Sequence, residues 1–149
     1  MNKSVYIAAP FFTPEQSAVV DRIEKTLNQF GVSYFSPRRE CLCEPNCSAE
    51  KRRRAFEGNL VGVEEAKVVL AWIEGYDAGT MFEVGYAFRA QQTVAAMMFG
   101  ENPKVNLMLA EGVDGFLLGW DSVETFIQQF SLSGIPNQNV LSLWKKEIE

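Results

Sequence analysis

Two uninterrupted apolar runs constrain this chain most: "KVVLAWI" at 67–73 and "TVAAMMF" at 93–99. A strand with one wet face alternates apolar and polar residues, whereas a strand covered on both faces has no need to. Runs of this length without alternation predict strands inside a parallel sheet with helices packed on both sides. The neighbouring segments can supply those helices. "TPEQSAVVDRIEKTLNQFG" at 13–31 has Thr13 as N-cap, Pro14 at the first helical position, Gln16 completing a capping box and Gly31 as the stop. Val19, Ile23, Leu27 and Phe30 recur along it at helical spacing and predict a buried face. "SVYIAAP" before it and "VSYFSP" after it read as short strands, giving a β-α-β opening.

Further along, Ser48 is expected to cap a helix through about Glu65, with Phe56, Leu60 and Val63 on one stripe and Asn59 beside it. Residues 80–91 read as another helix, "DGFLLGW" as a candidate strand, and Ser122 as a candidate cap for a helix through Phe130. The last fifteen residues carry no firm pattern. There is no repeat, low-complexity tract or linker, so the 149 residues are read as one domain. The expected architecture is an α/β layered sandwich around a mostly parallel central sheet, flavodoxin- or Rossmann-like.

Composition excludes several functions. The net charge of −5 disfavours broad nucleic-acid binding, and the "KRRR" of 51–54 fans around a helix axis and reads as a solvated face. No segment has the apolar length of a membrane span and the start lacks the apolar region of a signal peptide, so a cytoplasmic protein is expected. The chain has no histidine, which removes Ser-His and Cys-His nucleophile pairs and His-containing zinc sites. Cys41, Cys43 and Cys47 have neither paired C-x-x-C spacing nor a fourth ligand; a reduced, loop-borne cluster without metal is expected.

Ligands of such sheets gather outside the carboxyl ends of the strands. Three loops qualify: "AAPFFT", "SPRRE" and "EGYDAGT", and they are expected to share one crevice. The last runs into "MFEVGYAFR". Thr80 to Glu83 is T-x-x-E, a capping-box pattern that would tie Glu83 to the Thr80 amide, with Gly75 and Gly79 as turn residues. The alternative is chemistry. Asp77 and Glu83 both stand at the ligand end of a buried strand, and a helix N-terminus favours an ionised carboxylate, as a nucleophile needs. A retaining glycosidic reaction uses two carboxyl groups about 5 to 5.5 Å apart, which six residues across a turn into a helix can meet.

"YDAGTMFEVGYAFR" closely resembles the D-x-G-x-x-x-E-x-G-Y-A signature of the nucleoside 2-deoxyribosyltransferase family. "VYIAAPFFTPEQ", "NLVGVEEAKVVLAWI" and "VNLML" are similar to other parts of it, so the resemblance covers most of the chain up to about residue 120. It implies transfer of 2-deoxyribose between nucleobases through a glycosyl-enzyme ester, without metal or organic cofactor. It assigns Glu83 as nucleophile, Tyr6 as the hydroxyl that orients it, and Asp77 as the group facing the base and able to donate a proton. It implies that Asn106 and Met108 serve a neighbouring subunit's site, hence a homo-oligomer acting on deoxynucleosides and free bases. Gly79 of the signature is assigned to substrate binding. Phe11 and Phe12 are candidates to enclose the base, and Arg39 and Glu40 to read its edges. Asn59 falls where many members have a second aspartate; an amide binds a base edge but cannot donate a catalytic proton to it. "LWKKEIE" does not match the family's ending and is assigned no role. The alternatives are an N-glycoside hydrolase of deoxynucleosides or their 5-monophosphates, and a non-catalytic nucleotide-binding protein.

Overall fold

Alternation along each strand sorts its residues into two layers, and helices cover both. The computed structural model describes residues 3–149. Five strands, β1 (Val5–Ala8), β2 (Tyr34–Phe35), β3 (Val68–Trp72), β4 (Thr93–Met98) and β5 (Gly115–Leu118), form an all-parallel sheet in the order β2-β1-β3-β4-β5. Among the described residues six helices accompany them: α1 (Pro14–Gln29), α2 (Pro37–Glu40), α3 (Ala49–Glu65), α4 (Ala78–Arg89), α5 (Leu107–Gly112) and α6 (Trp120–Ser133). The α/β sandwich expected from the apolar runs is the observed fold.

On one face Val5, Ile7, Leu70 and Met97 pack with Ile23 and Leu27 of α1 and Phe126 and Phe130 of α6. On the other, Tyr6, Ala8, Val69, Ala71 and Ala96 pack with Val63 of α3 and Val84 and Ala87 of α4. Each full burial of such a side chain contributes roughly 1.5–3 kcal/mol. The strand order reverses beside β1, because β2 lies on one side and β3 on the other. A parallel α/β sheet opens its ligand crevice at that switch point.

Local chemistry explains the helix ends. Thr13 caps α1 and forms the full capping box with Gln16, and Ser48 caps α3 by accepting from Lys51 N. Gly31 follows α1 at φ 67°, a left-handed position where a Cβ is costly.

Several expectations are corrected. The helix expected over 80–91 starts at Ala78, and its N-cap is Asp77, whose side chain accepts from Thr80 N. The Thr80–Glu83 capping box therefore does not form, since a cap three residues earlier already satisfies that amide. Helix α6 begins at Trp120 behind Gly119 at φ 85°; Ser122 lies inside its first turn and donates to Leu118 O. Phe56 is 41% exposed, its ring edge-on to Phe82, so only the lower part of the α3 stripe is core. Val20 and Glu24 are more deeply buried than Val19 on α1. Cys43 and Cys47 are joined by a disulfide, against the expectation of a reduced cluster, while Cys41 is free. Ser142 bridges Phe116 and Ile148 bridges Val105, so the unpatterned tail is tied along the sheet and the α5 approach. Among the described residues no helix is long and apolar enough to cross a membrane.

Candidate active site

The second residue of β1 places a tyrosine against the α3 and α4 layer. Tyr6 is fully buried, and its ring stacks on Phe35 of β2 at a centroid distance of 5.3 Å and an interplanar angle of 15°. Its hydroxyl donates to Glu83 Oε1 at 2.8 Å. Glu83 lies in the second turn of α4, on the helix that leaves β3 at the switch point. Among the described residues its other carboxylate oxygen has no hydrogen-bond donor, and Thr80 is engaged by Asp77 instead.

Burial is the largest influence on the Glu83 carboxyl; it pushes the pKa up, the Tyr6 hydrogen bond opposes this and the Asp77 charge adds to it, leaving it at about 7. The field of the helix N-terminus favours the ionised form of this group. Desolvation outweighs that field because a carboxylate loses more hydration inside the fold than a helix end returns. Burial, and then the Glu83 charge, raise the Tyr6 hydroxyl above its ordinary value, so it remains the proton-bearing partner.

Asp77 caps α4 through one oxygen: Oδ2 accepts from Thr80 N at 2.9 Å and from Thr80 Oγ1 at 3.0 Å. The preceding turn uses two left-handed residues, Gly75 at φ 80° and Tyr76 at φ 49°. A non-glycine residue there costs about 1–3 kcal/mol; Tyr76 is held by its hydroxyl donating to Glu149 Oε2 at 2.8 Å. A Cβ on Gly79 would stand 3.3 Å from Asp77 Oδ2, so that glycine keeps the carboxylate uncrowded.

The remaining predicted residues fall in four places. Asn59 is on α3, with its Oδ1 buried and unpartnered among the described residues. In the loop after β1, Phe11 packs against the α1 and α6 core, while Phe12 is 72% exposed with its ring 4.7 Å from that of Phe11. In α2, Arg39 is bonded to Glu24 and the Glu40 carboxylate lies 4.0 Å from Lys3 Nζ, so both are engaged by side chains at or before α1.

Asn106 and Met108 are not gathered with Tyr6 and Glu83. Asn106 caps α5, accepting from Met108 N at 2.8 Å, and Met108 is 77% exposed. They border a separate, mainly apolar cavity of about 860 Å³ lined also by Tyr76, Met81, Phe88 and Glu149. Residues not anticipated from sequence include Phe35, which backs Tyr6, and Glu149, which clasps Tyr76. Phe35 had a signal in the short strand "VSYFSP"; Glu149 had none.

The profile of the family described as nucleoside 2-deoxyribosyltransferase matches residues 5–128. Among solved structures, a 2-deoxyribosyltransferase from the psychrotolerant bacterium Bacillus psychrosaccharolyticus superposes with a TM-score of 0.79 at 26% identity, over 95% of this chain and 99% of that one. The CMP N-glycosidase BcmB from Clostridium botulinum has a TM-score of 0.56 at 12% identity, over 86% and 98% of the two chains. A conserved protein from Enterococcus faecalis V583 has a TM-score of 0.55 at 14% identity, over 87% and 88%. These last two likenesses concern the fold alone. The search of curated proteins returned no match. The profile spans most of the chain and the fold is shared over nearly its whole length, and so this chain belongs to the nucleoside 2-deoxyribosyltransferase family.

Proposed function

We propose that the protein transfers 2-deoxyribose between nucleobases by a retaining double displacement, with Glu83 as nucleophile. The observation that carries this reading is the Tyr6–Glu83 hydrogen bond at 2.8 Å. It holds one carboxylate oxygen and leaves the other free to attack C1′ of a deoxynucleoside. As the C1′–N bond breaks, the base departs with its electron pair and takes a proton from Asp77, and a Glu83–C1′ ester forms. A second base then attacks C1′, returns a proton to Asp77 and releases Glu83; microscopic reversibility makes the two halves mirror one another. Asn59 is assigned to the base edge, which its unpartnered Oδ1 supports. Phe12 is assigned to cover the base, with Phe11 as its support, and Gly79 to leave room beside Asp77.

Asn106 and Met108 are proposed to act on the site of a neighbouring copy in a homo-oligomer. The exposure of Met108 beside a mainly apolar cavity supports this, because an apolar face of that kind is stabilised by a partner.

The test is base exchange. Incubation with thymidine and adenine is expected to yield deoxyadenosine and thymine, and incubation with a deoxynucleoside alone should add the mass of one deoxyribosyl group to the protein. The added mass should vanish in Glu83→Ala. Release of free deoxyribose without exchange, across purine and pyrimidine pairs, would instead make the protein an N-glycoside hydrolase.

A further inference from the structure

Glu24 is a buried carboxylate with no part in the chemistry above. It is 2% exposed, on the stripe of α1 otherwise formed by Val20, Ile23 and Leu27. A charge in that position is costly unless it is paired and fully hydrogen-bonded. Ser36 Oγ donates to its Oε1 at 2.7 Å and Arg38 Nε to the same oxygen at 2.9 Å. Arg38 Nη2 and Arg39 Nε each donate to Oε2 at 2.8 Å. All of these donors belong to α2 or its cap. Burial pushes the Glu24 carboxyl up, but the hydrogen bonds from Arg38, Arg39 and Ser36 outweigh it and bring it down to about 2, so the clamp is charged at any working pH.

Both ends of the clamped segment abut the candidate site. Ser36 directly follows Phe35, whose ring stacks on Tyr6. At the other end Cys41 caps α2, and its Sγ would lie 2.6 Å from a Cβ on Gly58, so the loop touches α3 one residue before Asn59. The segment from Ser36 to Cys41 thus spans the gap between the wall behind Tyr6 and the turn of α3 that carries Asn59.

We propose that Glu24 is a positioning residue for base binding: by anchoring Ser36, Arg38 and Arg39 it fixes the spacing between the Tyr6 wall and Asn59. The inference rests on the transfer reading above. Glu24→Gln keeps the size of the side chain and withdraws its charge. With saturating substrates kcat should stay within about twofold, while KM for the acceptor base rises on the order of tenfold. Ser36→Ala removes one neutral bond from the same clamp; it should raise that KM about twofold with the fold intact, and it decides the matter if Glu24→Gln does not fold. A lower melting temperature with an unchanged KM, or a fall in kcat at constant KM, would overturn the positioning role. Wild-type protein that exchanges bases while both variants keep its KM removes this inference alone. Wild-type protein that exchanges nothing removes the proposed function and the inference together.

Discussion

Tyr6 and Glu83, 77 residues apart in sequence, are joined by a 2.8 Å hydrogen bond from the buried phenol to one carboxylate oxygen. The bond does two things at once. It orients the carboxylate, and it stabilises the ionised form against the desolvation that pushes the carboxyl up to about 7.

Tyr6→Phe removes the hydroxyl and leaves the stacked ring on Phe35. Loss of orientation is expected to lower kcat/KM by about a hundredfold. The acidic limb of the pH–rate profile should also move. In the wild-type protein activity should rise with pH through about 7, where the buried Glu83 carboxyl is expected to ionise. Without the hydrogen bond that lowers this pKa, the limb should lie at higher pH. A limb that stays in place in Tyr6→Phe would show that Glu83 is not the titrating group.

The same group links stability to pH. The Glu83 carboxyl sits at 4.5 when unperturbed and about 7 in the folded chain, so the native state binds more protons between those values. Stability therefore falls as pH rises from 4.5 to 7, by on the order of 3 kcal/mol for this group. Glu83→Gln should abolish exchange and yet be more stable than wild type at pH 8, with the difference fading towards pH 4. Urea melts at the two pH values measure it.

Asp77 has a structural and a proposed chemical duty, and two substitutions separate them. Asn is as good an N-cap as Asp, so Asp77→Asn should keep the melting temperature while losing proton donation, with a fall of 10²–10⁴-fold in kcat. Asp77→Ala should lose about 1 kcal/mol as well. The rate loss of Asp77→Asn should be smallest for nucleosides whose base departs most easily as an anion.

Gly115 has no room for a side chain: a Cβ there would meet Leu141 Cβ at 2.5 Å. Gly115→Ala should cost about 1–3 kcal/mol and loosen the tail strapped beside Phe116. Limited proteolysis should then cut first within 135–149. Equal protease resistance in the two proteins would argue against a packed tail.

Much of the fold was legible because its determinants are local or compositional. "KVVLAWI" and "TVAAMMF" need no partner to be read as covered strands, and the Thr13–Gln16 box closes within one turn. Helix α4 shows the limit. Asp77, Thr80 and Glu83 offer two overlapping capping patterns; Asp77 takes the Thr80 amide, and Glu83 instead accepts from Tyr6. No spacing rule carries that contact; the family resemblance pointed to it. The Glu24 clamp was within reach, since a glutamate on an apolar stripe demands cations and "SPRRE" supplies two. Phe56 stands on the apolar stripe of α3 but beyond the part of the helix that meets the sheet, where Val63 is buried.

Strand β1 gives the protein a division of labour by parity. Its odd residues, Val5 and Ile7, serve the α1 and α6 core, while Tyr6 faces the carboxylate on the other side. Within four residues, Val5 and Ile7 pack into one core and Tyr6 and Ala8 into the other, so the layer holding the odd residues contains neither Tyr6 nor Glu83. Repacking the odd side to raise heat tolerance should therefore leave turnover alone, and an engineer seeking a more robust catalyst has a layer in which to work.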